Sequence, residues 1–281
     1  GEALAEMEEM APYVVGYSDD GWGVQNNQLM REGFLEAKRL GKPIVSHCEV
    51  AELVRGGVIH DGDYAREHHL PGNPSESEWR MVERDLKLVE ETGAPYHICH
   101  VSTKETVALV REAKAKGLPV TCETAPHYLY FTDNDLQDEG RFKMNPPIRG
   151  QEDQDALIAG LVDGTVDALA TDHAPHSAEE KSKGLLHSAN GIIGLEMAFA
   201  ASYTSLVAKG HMRLEDLVEK MSVWPRQFLG LPAKIEEGFP ADLVVVDLLP
   251  EYKVAEEDFL SMGKASPFTG ETLKGQVVCT I

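Results

Sequence analysis

Short apolar stretches of strand-like sequence alternate with helix-like stretches along most of this chain, and this alternation limits the folds that it can adopt. The strand-like stretches lie at residues 13–18, 43–48, 96–101, 118–123 and 166–171, and the helix-like stretches between them at residues 28–40, 76–92, 104–116 and 151–161. Continuous apolar runs of this length are typical of parallel strands that are buried on both faces. The alternation therefore predicts an α/β fold with a parallel sheet.

Polar residues follow the strand-like stretches at their carboxyl ends, and these residues are Asp19, Asp20, His47, His100, Glu123 and Asp172. A (β/α)8 barrel carries its catalytic groups at this rim. The alternative is a doubly wound open sheet, which needs a glycine-rich phosphate-binding turn after a strand, and the sequence lacks one. We therefore predict a (β/α)8 TIM barrel, of which the five stretches form strands 4–8.

The five strand-like stretches are fewer than the eight that a barrel needs. We therefore expect the chain to be an internal part of a longer protein, with about three βα units before it and a strand or more after it. Residues 1–234 are predicted to form the C-terminal portion of the barrel, with closing helices at residues 214–221 and 225–229. A turn and a β-branched run at residues 243–246 change the pattern, so residues 235–281 are predicted to be part of a small accessory β domain.

The charge and the cysteines limit the partners and the compartment. The chain has 26 Lys and Arg residues against 47 Asp and Glu residues, which gives a formal net charge of −21. Nucleic acids and anionic membrane surfaces attract basic proteins, so we expect neither as a partner. No apolar run approaches the ~20 residues of a membrane-spanning helix. The four cysteines form no Cys-x-x-Cys pair, which favours a reducing, cytoplasmic location over a disulfide framework.

Imidazole and carboxylate groups at four of the strand ends indicate a metal site. Residues 17–21 end the first strand with Asp19 and Asp20, and His47, His100 and Asp172 follow later strands. This mixture of ligands suits a borderline metal ion such as Zn²⁺ or Mn²⁺. Physical reasoning alone does not choose between Asp19 and Asp20 as the ligand from the first strand.

Side chains alternate between the two faces of a strand, and this predicts on which face the neighbours of these histidines lie. If His47 and His100 point into the barrel, Cys48 and Cys99 point outward and pack against helices. His97 shares the parity of Cys99, so we predict that it packs on the same outward face. We expect surface or packing roles for His60, His68, His69, His187 and His211. For His127, just past a strand end, rim lining and substrate contact are both open.

Six segments together resemble the dihydroorotases of the amidohydrolase superfamily, and specifically the bacterial type in which an aspartate replaces a carbamylated lysine. The segments are residues 18–21 (SDDG), 46–49 (SHCE), 99–105 (CHVSTKE), 143–149 (KMNPPIR), 171–176 (TDHAPH) and 191–196 (GIIGLE). The resemblance extends along essentially the whole chain. The fold that it implies is the amidohydrolase type of TIM barrel.

The resemblance implies a role for each matching residue. Asp20 would be the carboxylate that bridges two metal ions, and His47 and His100 would bind one of the ions. Asp172 would bind the other ion and act as the catalytic acid and base. Contacts to the substrate would come from Asn145, His176 and Gly191. The implied cofactor is Zn²⁺, with one or two ions in each active site.

The implied reaction is the reversible closure of N-carbamoyl-L-aspartate to L-dihydroorotate and water in pyrimidine synthesis. Two alternatives remain: a hydantoinase-like or allantoinase-like cyclic amidase, and a non-catalytic subunit that scaffolds aspartate transcarbamoylase. The family's His-x-His motif and the arginine that binds the substrate carboxylate would precede Gly1, so we expect residues 1–281 to be inactive alone. The partners implied are the small-molecule substrate, a second copy in a homodimer and aspartate transcarbamoylase.

Overall fold

The structure is a computed structural model that describes residues 2–19 and 21–281, so Asp20 lies outside the described residues. Its strands are β1 (Tyr17–Ser18), β2 (Ile44–Ser46), β3 (Ile59–His60), β4 (Gly72–Asn73), β5 (Tyr96–Ile98), β6 (Val120–Thr124), β7 (Ala168–Leu169), β8 (Val244–Lys253) and β9 (Thr272–Thr280). Its α-helices are α1 (Met7–Met10), α2 (Asn27–Arg39), α3 (Ala51–Val54), α4 (Asp63–Glu67), α5 (Glu76–Thr92), α6 (Lys104–Ala115), α7 (Pro126–Tyr130), α8 (Gln151–Asp163), α9 (Ala178–Lys181), α10 (Gly184–His187), α11 (Ala198–Ser202), α12 (Leu214–Val218) and α13 (Trp224–Phe228). Short 3₁₀ and π turns connect several of these elements. Among the described residues, no helix is long and apolar enough to cross a membrane.

The chain divides into two compact units. Unit 1 comprises residues 1–124 and 149–167, and unit 2 comprises residues 125–148 and 168–281. This division does not test the predicted boundary between a barrel portion and an accessory β domain at residues 234 and 235. That boundary stays a prediction.

The parallel sheet of unit 1 has the strand order β1, β2, β5, β6. Its register aligns Tyr17, Ile44, Tyr96 and Val120 in one row across the four strands. All four side chains are buried, and the ring of Tyr96 packs edge-on against Phe34 of α2. The row of Tyr96 therefore faces the helices, and the next row along, which contains His97 and Thr121, faces the opposite side of the sheet.

Local sequence explains where the long helices of unit 1 begin and pack. The side chain of Asn26 accepts hydrogen bonds from the first turn of α2, and that of Thr103 does the same for α6. Helices α6 and α8 contact each other at Gly160. A Cβ atom there would lie 3.0 Å from methyl groups of Val107 and Val166, so the close packing favours glycine.

A buried chain of hydrogen bonds connects the sheet to α5. The hydroxyl of Tyr96 donates to Oδ2 of Asp85 at 2.8 Å and lies 3.0 Å from the thiol of Cys48. Burial raises the pKa of Asp85 from 3.8 to about 6, although the nearby charge of Arg84 opposes the shift. Cys48 thus packs on the helix-facing side, which confirms its predicted orientation opposite His47.

The raised pKa of Asp85 makes a prediction about stability. A folded-state pKa above the unfolded value means that the folded state binds the proton more tightly, so this contribution is complete below about pH 4 and is lost as the pH rises to about 6. We expect the unfolding free energy of the wild type, relative to Asp85→Asn, to fall by on the order of 2–3 kcal/mol from pH 4 to pH 7.5. Urea denaturation of both proteins measures this difference. A difference that does not change with pH would contradict the assignment.

Unit 2 contains a cluster of aromatic rings and an antiparallel strand pair. Phe131 packs against Phe142 and Phe268, with ring centroids 6.0 and 5.0 Å apart. Strands β8 and β9 pair from Val244 opposite Thr280 to Lys253 opposite Thr272. The residues that the sequence assigns to closing helices are helical at α12, α13 and the π-helical turn between them, and the predicted strand near residue 243 is β8.

Candidate active site

Two histidine side chains lie together at the carboxyl ends of neighbouring strands in unit 1. His47 follows β2 and His100 follows β5, and these strands are hydrogen-bonded partners. Nδ1 of His47 lies 3.0 Å from Nε2 of His100, and the two rings are arranged edge to face. The sequence therefore predicted correctly that these two residues come together, because parallel strands end at the same edge of their sheet.

The loop that carries His100 is fixed by carboxylates on both sides. His100 has a left-handed backbone, with φ of 36°, and its N–H donates to Oε1 of Glu123 at 3.0 Å. The N–H groups of Ser102 and Thr103 both donate to Oε1 of the buried Glu78 at 3.1 Å. Left-handed backbone is uncommon outside glycine, so these bonds hold His100 in a conformation that it would rarely adopt alone.

His97 differs from its predicted position. It lies in the row that faces away from the helices, where Nδ1 is 2.8 Å from Oγ1 of Thr121 and Nε2 pairs with the carboxylate of Glu123. The prediction assumed that side chains alternate between the two faces of the sheet from His97 as far as His100. The alternation does not extend that far, because β5 ends at Ile98 and His100 has a left-handed backbone. The prediction that His97 packs outward was therefore wrong.

Glu123 is a site residue that sequence reasoning placed at a strand end but gave no role. Burial raises the pKa of its carboxyl, but the hydrogen bond and charge of His97 and the N–H of His100 outweigh burial and leave the pKa lowered. The carboxylate thus stays ionised and connects His97 to the backbone of His100. Its position at the end of a strand next to β5 was the available signal.

Of the two aspartates after β1, the structure describes Asp19. Oδ1 of Asp19 accepts the backbone N–H of His47 at 3.0 Å, so this carboxylate positions the His47 segment. Asp20, the predicted metal ligand, lies outside the described residues. No group of three or more His, Cys, Asp or Glu side chains within residues 2–19 and 21–281 is arranged to hold a metal ion.

The histidine pair nevertheless fits a divalent metal. Two nitrogens that bind one tetrahedral zinc ion at ~2.05 Å lie ~3.3 Å from each other. The nitrogens of His47 and His100 are 3.0 Å apart, which is close to that separation. Each histidine is held through its backbone N–H, that of His47 by Oδ1 of Asp19 and that of His100 by Oε1 of Glu123.

In unit 2, the segment after β7 is joined to the segment around Ile192. His173 pairs with Ile192 in a parallel bridge, and the N–H of Ala174 donates to the carbonyl of Ile192 at 2.9 Å. Nδ1 of His173 accepts the N–H groups of Gly194 and Leu195, both at 3.3 Å. Asp172, the predicted acid and base, precedes His173 and has φ of 47°. Sequence reasoning missed this positioning role of His173.

Two of the three predicted substrate-binding residues, His176 and Gly191, pack against each other in unit 2. Nε2 of His176 lies 2.7 Å from the carbonyl oxygen of Asn190. A Cβ atom on Gly191 would lie 3.0 Å from Cδ2 of His176, so the Gly191 backbone packs directly on that ring. The Gly191 N–H donates to the carbonyl of Lys143 at 3.1 Å. Lys143 lies two residues before Asn145, the third predicted substrate-binding residue. A substrate contact at Gly191 would therefore use its carbonyl oxygen.

Arg149 and His127 are buried. Arg149 ends the KMNPPIR segment and is 3 % exposed; it donates from Nε to Oγ of Ser102 at 3.1 Å and from Nη1 to the carbonyl of Asn73 at 2.7 Å. It therefore supports the His100 loop. His127 lies in α7 of unit 2, is 1 % exposed and packs its ring on Tyr128.

Comparison with known proteins assigns the family. The model of the amidohydrolase family matches residues 3–281. The chain belongs to the amidohydrolase family. Amidohydrolases are generally metal-dependent, which agrees with the paired histidines of unit 1.

Among curated amidohydrolases, this chain is similar to proteins named dihydroorotase. It is 47 % identical over 272 residues to the dihydroorotase of Brevibacillus brevis, covering 95 % of this chain and 64 % of that protein. It is 45 % identical over 283 residues to the dihydroorotase of Fusobacterium nucleatum, covering 100 % of this chain and 67 % of that protein. The chain thus spans about two thirds of the length of these relatives, and the resemblance seen in the motifs is confirmed.

Solved amidohydrolase structures share the fold. The L-hydantoinase of Arthrobacter aurescens superimposes with a TM-score of 0.82 at 30 % identity, covering 95 % of this chain and 62 % of that chain. The D-hydantoinase of a Thermus species gives a TM-score of 0.86 at 23 % identity, covering 100 % of this chain and 66 % of that chain. The predicted α/β fold class, the amidohydrolase type of TIM barrel, is confirmed.

Proposed function

We propose that this chain supplies catalytic residues of a dihydroorotase, which opens the ring of L-dihydroorotate to N-carbamoyl-L-aspartate and catalyses the reverse closure. The observation that carries the proposal is the 45 % identity to a dihydroorotase along the whole chain. The close pair of His47 and His100 and the cluster of His176 and Gly191 support it.

In unit 1, the proposed role of Asp20, His47 and His100 is to bind Zn²⁺, as one or two ions in each site. When bound, such an ion provides a water nucleophile at neutral pH and polarises the carbonyl that is attacked. Asp19 and Glu123 would position the two histidines through hydrogen bonds to their backbone N–H groups. These bonds would orient the proposed ligands through their backbone.

In unit 2, the proposed role of Asp172 is to bind metal and to transfer the proton. Ring opening forms a bond between the water oxygen and the amide carbon, and it breaks the bond from that carbon to the ring nitrogen. Asp172 would accept a proton from the water and deliver it to the leaving nitrogen, so the carboxylate is regenerated. Asn145, His176 and Gly191 would hold the substrate, and His173 would fix the Asp172 segment.

A hydantoinase-like reaction is the second candidate, because a solved hydantoinase is 30 % identical over most of the chain. Two further alternatives are an allantoinase-like reaction and a non-catalytic role as a scaffold subunit of aspartate transcarbamoylase. We expect the intact protein to hydrolyse L-dihydroorotate with a kcat/KM at least about tenfold above that for hydantoin or allantoin, a preference worth about 1.4 kcal/mol. Faster hydrolysis of hydantoin would favour the second candidate, and no hydrolysis of any of them by metal-loaded protein would favour the scaffold.

The wider setting is also a proposal. Cys48 and Cys122 are buried free thiols, which supports a reducing, cytoplasmic location. The net charge of −21 supports a small-molecule substrate, with neither nucleic acid nor an anionic membrane as a partner. A homodimer and association with aspartate transcarbamoylase stay predictions that measurements of the mass of the intact protein, alone and mixed with the transcarbamoylase, would test.

A further inference from the structure

Unit 2 buries two lysine side chains close to the predicted substrate-binding residues. Lys143 and Lys181 are 6 % and 7 % exposed, although lysine is among the residues that are least often buried. Among the described residues, no carboxylate contributes to the pKa shift of either ammonium group. Burial, together with the nearby charge of Lys143, lowers the pKa of Lys181 to about 8, so its ammonium group is still charged at neutral pH.

Backbone carbonyls accept hydrogen bonds from both ammonium groups. Nζ of Lys181 donates to the carbonyl of Ala189 at 2.7 Å and to the carbonyl of Lys143 at 2.9 Å. Nζ of Lys143 donates to the carbonyl of Leu186 at 3.0 Å. Burying a charge is costly unless the charge is well hydrogen-bonded, so these bonds must form together with the fold of this segment.

The carbonyl of Lys143 joins Lys181 to the predicted substrate-binding residues. It accepts from Nζ of Lys181 at 2.9 Å and from the N–H of Gly191 at 3.1 Å. Asn145 follows Lys143 by two residues, and Ala189 precedes Gly191 by two residues. The ammonium group of Lys181 thus binds the backbone two residues before Asn145 and two residues before Gly191.

The packing around these bonds leaves little room for adjustment. A Cβ atom on Gly191 would lie 2.6 Å from the carbonyl oxygen of Ala174 and 3.0 Å from the ring of His176. A Cβ atom on Gly140 would lie 2.2 Å from the carbonyl oxygen of Lys181, so that residue is confined as well. Because Gly191 is held between the Lys143 carbonyl and the His176 ring, a shift of the Ala189 segment would move Gly191 relative to both.

We propose that Lys181 is a positioning residue for substrate binding: its ammonium group sets the spacing between the Lys143–Asn145 and Ala189–Gly191 backbones. The proposal rests on the proposed function, since it assigns the consequence to the binding of L-dihydroorotate. Lys181 acts through these backbones and contributes no group to the reaction. Its loss should therefore weaken substrate binding more than it slows the chemical steps.

The test compares Lys181→Met with Lys183→Met in the intact, metal-loaded protein. Methionine is unbranched like lysine and one atom shorter, and it has no donors. Lys183 is an exposed lysine two residues further along the chain, 4.0 Å from Glu179. We expect Lys181→Met to raise the KM for L-dihydroorotate about tenfold and to change kcat less than about threefold. Lys183→Met should leave both constants near those of the wild type.

Amide hydrogen exchange provides a second measurement that does not need turnover. The Gly191 N–H, which donates to the Lys143 carbonyl, should exchange faster in Lys181→Met than in the wild type or in Lys183→Met. If Lys181→Met does not fold, Lys181→Gln replaces it, because glutamine keeps N–H donors without the charge. Lys181→Gln should also raise the KM and speed up Gly191 exchange, by smaller amounts. An unchanged KM in the folded variant, or unchanged Gly191 exchange, would overturn the proposal. A wild type that does not hydrolyse dihydroorotate would overturn the proposed function instead, and the exchange measurement would still decide the role of Lys181.

Discussion

Replacing Asp172 by asparagine is expected to lower the rates of ring opening and ring closure by about 10²–10⁴-fold, which is the usual contribution of one acid or base. Asparagine has nearly the same size as aspartate, but its side-chain nitrogen cannot accept a proton from water and deliver it to the leaving nitrogen. The contacts that fix this segment run through the ring of His173 and the backbone of Ala174, so the substitution leaves them in place. Steady-state kinetics in both directions, with folding checked by thermal denaturation, measure the effect.

The matched control for Asp172 is Asp216→Asn, which changes a half-exposed aspartate that pairs with Arg213 in the same unit. This control should keep the rate of the wild type. If Asp172→Asn retains a rate within a few-fold of the wild type, Asp172 is not the acid and base. A loss confined to one direction would also contradict the role, because the same carboxyl group must serve both directions.

Replacing His47 or His100 by alanine is expected to remove metal from the protein. Changing an outer residue that only orients a ligand typically costs 10–100-fold in metal affinity, so removal of a ligand should cost at least about that much. The two nitrogens lie 3.0 Å apart, and each histidine should therefore be needed by the same ion. Metal analysis after exhaustive dialysis of the intact protein measures the retained metal in each variant.

The control for the histidines is His68→Ala, which removes an exposed imidazole that stacks on Tyr64 in the same unit. It should retain as much metal as the wild type. Full retention of metal in both His47→Ala and His100→Ala would exclude them as ligands. Loss of metal in only one of them would show that the histidines do not share an ion.

The sequence predicted the positions and the carboxyl ends of the strands better than their extents. The apolar stretch at residues 13–18 indicated a strand, yet only Tyr17–Ser18 pairs with β2, and Val15 is 55 % exposed. A 3₁₀ turn of Ala11–Tyr13, with Pro12 as its second residue, takes up the start of this stretch, and a hydrophobic pattern does not show it. The four long helices of unit 1 agree closely with their predictions because caps such as Asn26 and Thr103 are local signals.

The site was predictable where it depends on strand ends and was not where it depends on tertiary contacts. His47 and His100 come together because neighbouring parallel strands end together, and this follows from the sequence pattern alone. The orientation of His97 depends on where β5 ends and on the left-handed backbone at His100, which parity cannot show. The buried state of Lys181 depends on carbonyl groups that lie 38 and 8 residues away in the chain, so no local sequence pattern predicts it.

The central claim is that this chain supplies the metal ligands and the acid and base of a metal-dependent dihydroorotase. The most direct test strips the intact protein of metal and measures its rate of L-dihydroorotate ring opening before and after the addition of Zn²⁺, beside the double variant His47→Ala, Asp172→Asn. We predict that stripping abolishes the rate, that Zn²⁺ restores it in the wild type, and that the double variant stays inactive throughout. Equal rates in stripped and zinc-loaded protein, or turnover by the double variant at the rate of the wild type, would contradict the claim.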